Sequence, residues 1–409
     1  MERIILHCDC NSFFASVETA LNPAYRGVPM AVCGDPENRH GIVLAKNEEA
    51  KRYGIKTAET VYSAKKKCPS LVIAPPHYHE YERYSKMVNA IYSEYTDMVE
   101  PFGIDESWLD VTASRRIYGS GEEIAEQIRQ RVKKEIGITV SIGVSFNKVF
   151  AKLGSDYKKP DAITVISRAN FKQIVFPLPA SDLLFVGRKT TEMLAKMGIR
   201  TIGDLAATSR ELLRMRLGKM GDMLYEYANG LDEMPVGVGD DEVKSISNGF
   251  TFKHDLVSRE ECKTGLDFLS DEIGARLRAK GLKCGTVALT IKDTYLRSVQ
   301  RQRPLANHTD ISREISALAY EILCDEWSES KPIRMLTVAV TGLIDAGSSY
   351  VQMDLFSAEE SVAVRDKERK MEETVDSIRR KFGSSAISTG AIIDSDIGVK
   401  RPSDRKTKK

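Results

Sequence analysis

The amino-acid sequence predicts a multidomain α+β protein with two to four domains. Strands and helices alternate up to Ile166, the chain becomes mainly helical from about Pro179, and a second mixture of strands and helices begins near Val243. The stretch from Gly230 to Asp241 is rich in glycine, proline and acidic residues, which is typical of a linker. The last two regions should therefore be separate domains.

The composition is that of a soluble globular protein. The chain has 409 residues, of which 42% are hydrophobic and 29% charged, enough for sizeable cores. No apolar run is long enough to cross a bilayer, and the start, Met1 to Cys8, lacks the apolar region and cleavage site of a signal peptide. We therefore expect a cytoplasmic protein that does not associate with membranes. The seven cysteines form no C-x-x-C pair, so reduced core thiols are expected rather than a zinc site or a disulfide framework.

The first region predicts an α/β platform that carries one inserted segment, residues 11–75. The platform has the order strand, helix, hairpin, helix, strand, which is typical of a ferredoxin-like fold. Its predicted elements are a strand at 3–9, a helix ending near 98, a hairpin at 99–111, a helix at 122–136, a strand at 139–145, a helix at 149–157 and a strand at 162–166. The insertion is predicted to contain a helix starting at 13, strands at 27–33 and 41–45, and a helix at 47–53.

The hairpin brings two acidic residues to a turn. Gly103 gives the turn its backbone freedom, and Asp105 and Glu106 lie where the turn meets the second strand. Neighbouring side chains on a regular strand point to opposite faces, so both acids can serve one site only if the turn or a bulge re-aims one of them. Asp9 ends the first strand and offers a third carboxylate. Taken alone, these residues could also be ordinary turn residues and a partner of a helix dipole.

The helical region contains two helices across a glycine turn, at 184–194 and 197–205. This arrangement resembles a helix-hairpin-helix unit, whose turn and helix N-terminus can present main-chain N–H groups to DNA phosphate. Gly187, Lys189 and Gly198 are the candidate DNA contacts. A purely structural helical hairpin is the other interpretation.

The last region predicts a small α+β module with a basic surface. Its strands are predicted at 245–252, 285–293, 298–305 and 336–343, and its helices at 259–280 and 311–327. Between Arg276 and Arg303, eight basic residues occur against one acidic residue, Asp293. This pattern favours a phosphate backbone as partner over an ordinary solvated face, with Arg297, Arg301 and Arg303 as candidate DNA contacts.

A docking peptide is predicted in the segment that follows. Gln352, Leu355 and Phe356 combine a polar start with a bulky apolar pair on an otherwise hydrophilic stretch. Residues 359–383 have helical periodicity with many charges, and the basic end, residues 400–409, is expected to be disordered.

Three motifs occur together in order, and they carry a resemblance to a known family. They are Asp9-Cys10-Asn11-Ser12-Phe13-Phe14-Ala15-Ser16-Val17-Glu18, Gly103-Ile104-Asp105-Glu106-Ser107, and Asn147-Lys148-Val149-Phe150-Ala151-Lys152 with Lys158-Lys159-Pro160. With them the chain resembles the Y-family translesion DNA polymerases over nearly its whole length. The resemblance implies a palm (1–10 and 76–166), fingers (11–75), a helix-hairpin-helix thumb (167–232), a linker (233–243), a little finger (244–345) and a tail with a clamp-binding peptide (346–409).

The resemblance also implies the roles of individual residues. Asp9, Asp105, Glu106 and the main-chain carbonyl of Cys10 would hold two Mg²⁺ ions that act on the primer 3′-hydroxyl and the triphosphate. Asp105 would share both ions with Asp9, and Glu106 would have to be turned back toward the catalytic one. Phe14 matches the steric gate against ribonucleotides, and the residues that match nucleotide contacts are Phe13, Phe14, Lys51 and Lys159, with Lys152 as a further candidate.

The implied partners are primer–template DNA, deoxynucleoside triphosphates and a bacterial sliding clamp that binds Gln352, Leu355 and Phe356, with the chain acting as a monomer. Synthesis should proceed without proofreading, because no second cluster of acidic residues is typical of a nuclease.

The sequence departs from the family in the fingers. Where many members have threonine, tyrosine and arginine at the triphosphate, this chain has Ala45, Glu48 and Lys51. A carboxylate cannot donate a hydrogen bond to phosphate. Either basic residues such as Lys46 and Arg52, together with backbone groups, hold the triphosphate, or nucleotide binding is weaker. Two other functions stay open from the residues alone: another two-metal phosphoryl-transfer enzyme such as a nucleotide cyclase, and a non-catalytic scaffold that binds DNA or a clamp.

Overall fold

The computed structural model of the chain describes residues 2–34, 41–237, 243–328, 331–348, 358–393 and 395–399. It divides the chain into two compact units. The N-terminal unit comprises Met1–Pro36 and Gly41–Asp241, and the C-terminal unit comprises Glu37–His40 and Glu242–Lys409. The division falls inside the stretch that the sequence predicts as a linker.

The N-terminal unit contains eight strands in its described residues. They are β1 (Ile5–Cys10), β2 (Met30–Cys33), β3 (Val43–Lys46), β4 (Val72–Ala74), β5 (Val99–Pro101), β6 (Glu106–Asp110), β7 (Val140–Ser145) and β8 (Ile163–Ile166). One sheet has the order β5-β6-β1-β7-β8, and a smaller one has the order β3-β2-β4. In the larger sheet, β1 lies between β6 and β7 and pairs antiparallel with both. This is the split βαβ arrangement of a ferredoxin-like fold, extended by β8, which runs parallel to β7.

The helices of this unit are α1 (Phe13–Leu21), α2 (Glu48–Arg52), α3 (Val61–Lys67), α4 (Tyr78–Ser93), α5 (Arg115–Tyr118), α6 (Gly121–Arg131), α7 (Lys148–Tyr157), α8 (Phe171–Val175), α9 (Arg188–Lys196), α10 (Ile202–Ala207), α11 (Arg210–Leu217) and α12 (Lys219–Ala228). A π-helical turn, Val132–Ile136, extends α6, and short 3-10 helices occupy Pro23–Tyr25 and Ala180–Asp182. The inserted segment folds as the small sheet with α2 and α3 around its own core. The sequence analysis assigned neither β4 nor α3.

Helix α7 packs directly on the backbone of the larger sheet. Asn147 begins the helix, since its side-chain oxygen accepts a hydrogen bond from the Phe150 N–H at 2.8 Å. A Cβ added at Gly143 on β7 would lie 1.9 Å from the Ala151 carbonyl oxygen, and a Cβ added at Gly154 would lie 3.0 Å from the Gly143 Cα. Glycine at both positions therefore allows α7 to approach β7 more closely than a side chain would permit.

The C-terminal unit is an antiparallel sheet with helices packed against it. Its strands are β9 (Ser245–Leu256), β10 (Leu282–Asp293), β11 (Ser298–Thr309), β12 (Ile333–Thr341) and β13 (Ile344–Asp345), and its helices are α13 (Arg259–Ala279), α14 (Ser312–Glu326), α15 (Ala358–Phe382) and α16 (Gly390–Ile393), with a 3-10 turn at Ala346–Ser348. The main sheet has the order β11-β10-β12-β9. Its core joins apolar residues of β9, β10 and β12 to those of α13 and α14.

The C-terminal helix is part of this unit rather than a free tail. The Arg278 guanidinium, 6% exposed, pairs with Glu372 and with Asp376, the latter at 2.7 Å, and both acids lie on α15. Ile397 and Val399 are buried in the core of the unit. The charges of α15 meet partners on α13 and α14 that local sequence cannot indicate, and the bounds of the tail stay a prediction. The basic end, residues 400–409, lies outside the described residues.

Two compositional expectations can be compared with the structure. All seven cysteines are outside disulfide bonds, and only Cys324 is exposed, as predicted for reduced core thiols. Within the described part of the chain, the helices are too short or too polar to span a bilayer.

Candidate active site

Strands β1 and β6 bring the three acidic residues to one end of the larger sheet. Asp9 is paired directly with Glu106 across the two strands, so both side chains lie on the same face. Asp105 precedes β6, and its carbonyl oxygen accepts a hydrogen bond from the Cys10 N–H at 2.9 Å. The turn thus re-aims Asp105, whereas Glu106 reaches Asp9 by regular strand pairing. Regular pairing of β1 with β6 is therefore enough to bring Glu106 to the face of Asp9.

Gly103 lies against both acids of the hairpin. A Cβ added there would be 3.5 Å from the Oδ1 atom of Asp105 and 3.7 Å from the Oε1 atom of Glu106. The two carboxyl groups therefore approach the same glycine, although their residues are adjacent in the chain. A small residue at this point of the turn leaves room for both acids beside it.

Lys152 on α7 and Lys159, two residues after the helix ends, neutralise part of this charge. The Lys159 ammonium lies 2.7 Å from an oxygen of Asp9 and 2.7 Å from one of Asp156, and the Lys152 ammonium lies 2.5 Å from the Oε2 atom of Glu106. Burial raises the pKa of Asp9 more than Lys159 lowers it. Burial also favours the neutral form of Glu106, but hydrogen bonding and the positive charge of Lys152 outweigh it and hold the pKa of Glu106 at about 2.

Asp105 is the acid whose charge is least compensated. Burial raises the pKa of Asp105 to about 6, and the charges of Asp9 and Glu106 add to the effect. A buried carboxylate between two others is a position where a cation is strongly favoured. Carboxylate oxygens are also the ligands that Mg²⁺ prefers, so the donor set fits a magnesium site.

The ligand oxygens of Asp9, Asp105 and Glu106 do not all lie within 4.8 Å of one another. Among the described residues, only His254, Glu261 and Asp396 have ligand atoms that all lie within 4.8 Å of one another. The oxygens of the three acids are therefore farther apart than in a site where all three bind one ion. Lys159 holds the Asp9 carboxylate, and Lys152 holds that of Glu106. The His254 group belongs to the C-terminal unit, and its contacts are those of an ion pair, 3.1 Å between His254 and an Asp396 side chain that is 84% exposed.

The His7 side chain lies next to Glu106, on the same face of the sheet. Its ring is fully buried, with the Nε2 atom 3.4 Å from the Oε2 atom of Glu106, a contact that does not meet the geometry of a hydrogen bond. Burial lowers the pKa of His7 more than Glu106 raises it. Sequence analysis missed His7, and it also missed Ser155, which contacts the His7 ring from α7. The i, i+3 spacing of Lys152 and Ser155 on the predicted helix was the signal that could have indicated Ser155.

The two adjacent phenylalanines have different environments. Phe13 is 3% exposed and belongs to the core of the platform, so its ring has no surface for a nucleotide in this structure. Phe14 is partly exposed and stacks on Tyr81, with the ring centroids 4.1 Å apart. Ser12 before them adopts a left-handed conformation, with φ 49° and ψ 43°, which turns the chain sharply from β1 into α1.

The inserted segment places Glu48 beside this turn. One oxygen of Glu48 accepts hydrogen bonds from the Lys51 ammonium at 2.5 Å and from the Ser12 hydroxyl at 3.2 Å. Lys46 instead donates to the Thr57 hydroxyl at 2.8 Å. The acid that departs from the family pattern is thus paired with the lysine that was predicted to contact nucleotide.

The candidate DNA contacts in the N-terminal unit lie on the predicted pair of helices. Gly187 is the N-cap residue of α9, Lys189 is exposed in its first turn, and Gly198, with φ +80°, forms the turn toward α10. The predicted helical hairpin is present, and phosphate binding by it stays a prediction.

The candidate contacts in the C-terminal unit are less basic than the sequence suggested. Arg301 pairs with Glu326 at 3.0 Å, Arg303 with Asp325, and Arg297 with Asp293 at 2.9 Å. Arg301 and Arg303 are the register partners of the buried Leu289 and Val287, so they lie on the face of the sheet that the helices cover. Local counting missed two acidic partners because they come from α14. DNA binding by these arginines stays a prediction.

The docking peptide, with Gln352, Leu355 and Phe356, lies outside the described residues.

Comparison with known proteins places the whole chain in one family. Residues 8–156 match the impB/mucB/samB family, residues 181–232 match the DNA polymerase-iota thumb domain, and residues 243–355 match the impB/mucB/samB family C-terminal domain. A DNA polymerase IV from Acetivibrio thermocellus is 47% identical over 98% of this chain and 100% of its own length. The DNA polymerase IV of Clostridium kluyveri is 38% identical over 96% of this chain and 99% of its own length, and DNA polymerase IV 1 of Bacillus subtilis is 36% identical over 96% and 93%.

A solved structure supports the same fold. A Y-family DNA polymerase chimera superposes with a TM-score of 0.75, covering 84% of this chain and 99% of its own, at 23% sequence identity. Fold, domain matches and the carboxylate cluster together define the class: this chain belongs to the Y family of DNA-directed DNA polymerases. Within that class it groups with the bacterial DNA polymerase IV proteins.

The charge of Asp105 leads to a prediction about stability. The pKa of Asp105 is about 6 in the folded protein and near 3.8 in the unfolded chain. Between these two pH values the folded protein keeps a proton on Asp105 that the unfolded chain has lost. Stability should therefore fall as pH rises from about 4 to 6 and stay reduced above it. The Asp105→Asn substitution, in metal-free buffer, should raise the free energy of unfolding at pH 7.5 by about 1 kcal/mol after allowance for partial exposure.

The measurement is thermal unfolding of both proteins at pH 4 and pH 7.5, with and without Mg²⁺. The gain from Asp105→Asn should disappear at pH 4, and Mg²⁺ should stabilise the unsubstituted protein more than the variant. Asp97→Asn, at an exposed position of the same unit, is the control. A loss of stability in Asp105→Asn at pH 7.5 would show that the carboxylate is not under electrostatic strain.

Proposed function

We propose that this chain is a template-directed DNA polymerase that extends primers across damaged DNA with two Mg²⁺ ions and without proofreading. The observation that carries the proposal is the arrangement of Asp9, Asp105 and Glu106 at one sheet end, with Lys152 on α7 and Lys159 just after α7 facing them. The family membership supplies the reaction class. The absence of proofreading rests on the sequence, in which no second acidic cluster is typical of a nuclease.

The proposed ligands are the carboxylates of Asp9, Asp105 and Glu106 and the main-chain carbonyl of Cys10. Bound Mg²⁺ would supply charge neutralisation for the triphosphate and activation of the primer 3′-hydroxyl during in-line displacement of pyrophosphate. The protein groups hold and orient the reactants. Lys159 would exchange its contact with Asp9 for one with a triphosphate oxygen. Lys152 would separate from Glu106 when that carboxylate binds a cation.

The nucleotide is proposed to lie against the start of α1. Phe14 offers a partly exposed ring backed by Tyr81, so it is a firm surface against which a ribose 2′-hydroxyl would collide. Phe13 would contribute only through its main chain, because its ring is buried. Lys51 would reach a triphosphate only by exchanging its contact with Glu48.

The proposed partners are primer–template DNA, deoxynucleoside triphosphates and a sliding clamp that binds Gln352, Leu355 and Phe356. The chain would act as a monomer in the cytoplasm, where a clamp on DNA is available to it. Each of these statements follows from the proposed activity.

The decisive test is primer extension on a primed template with Mg²⁺. Asp105→Ala and Glu106→Ala should each slow extension by about 1,000-fold, since a bound metal provides several kcal/mol of transition-state stabilisation. Asp97→Ala, which removes an exposed carboxylate of the same unit, should extend normally. Absence of extension by the unsubstituted chain would end the polymerase proposal, and full activity of both variants would end the proposed site.

The steric-gate role is tested by sugar selectivity. Phe14→Ala should raise ribonucleotide incorporation relative to deoxynucleotide incorporation by roughly tenfold or more, because it removes the surface that excludes a single hydroxyl. Tyr62→Ala, at an aromatic side chain that is 71% exposed in the inserted segment, is the matched control and should leave selectivity unchanged. Unaltered selectivity in Phe14→Ala would assign the gate to another residue.

The clamp role is tested by substituting Leu355 and Phe356 with alanine. Extension on a clamp-loaded template should fall to the level measured without clamp, while basal extension should be unchanged, because the sequence predicts these two residues in the tail that follows the little finger. Equal loss of both activities would indicate a role in folding instead.

A further inference from the structure

His7 is buried directly behind the acidic cluster and takes no part in the chemistry described above. It lies on β1 two residues before Asp9, on the same face of the sheet, and its ring is fully buried. The Trp108 ring packs against it edge-on, with the centroids 5.1 Å apart. Tight packing of this kind restricts the imidazole to one orientation.

A short chain of polar atoms connects α7 to Glu106 through this ring. The Ser155 hydroxyl lies 2.8 Å from the Nδ1 atom of His7 and 2.8 Å from the Lys152 carbonyl oxygen. The Nε2 atom on the other side of the ring is 3.4 Å from the Oε2 atom of Glu106. Among the buried side-chain atoms of the described residues, Nε2 is one of the few without a hydrogen-bond partner.

The single proton of the Ser155 hydroxyl decides the tautomer of a neutral imidazole. If Ser155 donates to the Lys152 carbonyl oxygen, the Nδ1 atom must carry the ring proton, and the Nε2 lone pair then faces the carboxylate. If Ser155 donates to Nδ1, the Nε2 atom carries the proton and points a donor at Glu106. In either arrangement two acceptors face each other, Ser155 with the Lys152 carbonyl oxygen or Nε2 with Glu106. The carboxylate is charged and the carbonyl is neutral, so the second arrangement, in which Ser155 gives up its hydrogen bond to Lys152, is favoured while Glu106 is ionised.

Glu106 is therefore contacted twice by groups that α7 controls. Lys152 reaches the Oε2 atom directly at 2.5 Å, and Ser155 reaches it through His7. The first contact is between charges, and a bound cation would compete with it. The second is to a neutral ring that cannot move away, and it needs a closer approach of only a few tenths of an ångström to become a hydrogen bond.

We propose that His7, held in its Nε2–H tautomer by Ser155, is a positioning residue that orients the Glu106 carboxylate toward the cation once Lys152 has released it. This inference rests on the proposed function, because it assigns Glu106 to metal binding. Hydrogen-bonded groups behind a ligand commonly contribute 10–100-fold to metal affinity or activity. Because His7 is fully buried, a bound deoxynucleotide would not contact it, and the affinity for the deoxynucleotide should be independent of this residue.

The test compares His7→Leu, His7→Gln and Ser155→Ala with the unsubstituted chain. Leucine fills the site without a donor, glutamine keeps an N–H donor, and Ser155→Ala removes the hydroxyl that sets the tautomer. Thr164→Val is the matched control, since Thr164 is a buried polar residue of the same sheet whose hydroxyl has no hydrogen-bond partner. The readouts are Mn²⁺ binding by titration of free ion, single-turnover incorporation, the apparent dissociation constant of the deoxynucleotide, and the melting temperature.

We expect His7→Leu to weaken Mn²⁺ binding and slow incorporation by about 10–100-fold, with the deoxynucleotide constant changed less than about twofold. His7→Gln should recover most of both losses, and Ser155→Ala should show a smaller loss of the same kind. If His7→Leu does not fold, the Mn²⁺ affinity of Ser155→Ala decides the question. Normal Mn²⁺ binding in the folded variants, or equal losses in His7→Leu and His7→Gln, would overturn the inference.

The two proposals can fail separately. An unsubstituted chain that extends no primer contradicts the proposed function. A chain that extends primers and loses this activity in Glu106→Ala, but not in any His7 or Ser155 variant, contradicts only the positioning role.

Discussion

The close approach of helix α7 to the backbone of strand β7 is the constraint on which the site depends. With no side chain at Gly143, the helix rests on the sheet at the Ala151 carbonyl oxygen. The approach fixes how far Lys152 and Ser155 can reach over β1 and β6. The helix start is held as well, because the buried Lys148 ammonium lies 2.6 Å from Glu100 on β5 and its main-chain carbonyl accepts a hydrogen bond from the Trp108 indole. The positions of the acids and their partners are thus set by backbone packing.

Charge compensation is the second organising feature. Three carboxylates at one sheet end repel one another, and Lys152 on α7 and Lys159 just after it reduce this repulsion. The compensation is incomplete, since the pKa of Asp105 is still raised to about 6. Without a bound cation, part of the repulsion among the three carboxylates remains, so the site is least stable in that state. A cation that binds there would remove this repulsion. The departure at Glu48 follows the same logic, since the acid is balanced by Lys51 within the fingers-like insertion.

Much of the fold could be predicted from the sequence, because strand ends, glycine turns and helical periodicity are local signals. The hairpin at Gly103, the helix that starts after Asn147 and the boundary near residue 242 are of this type. The three acids could be named because they lie in short motifs. Their partners could not: the pairing of Glu106 with Lys152 and of Arg303 with Asp325 depends on which elements pack together. The local sequence also could not predict which side chains of β1 and β6 lie side by side, since this depends on the register of the two strands.

The docking of α15 has a consequence for where the C-terminal unit can be divided. The matched family domain ends at residue 355, before the helix begins. Arg278, however, has its guanidinium buried and paired with two acids from α15. A fragment that stops at residue 355 would lack both acids and would uncover the guanidinium, so it would lose these ion pairs and the packing of α15 on α13. The part of the chain that packs together is therefore longer than the segment that the family domain matches, and α15 belongs to it.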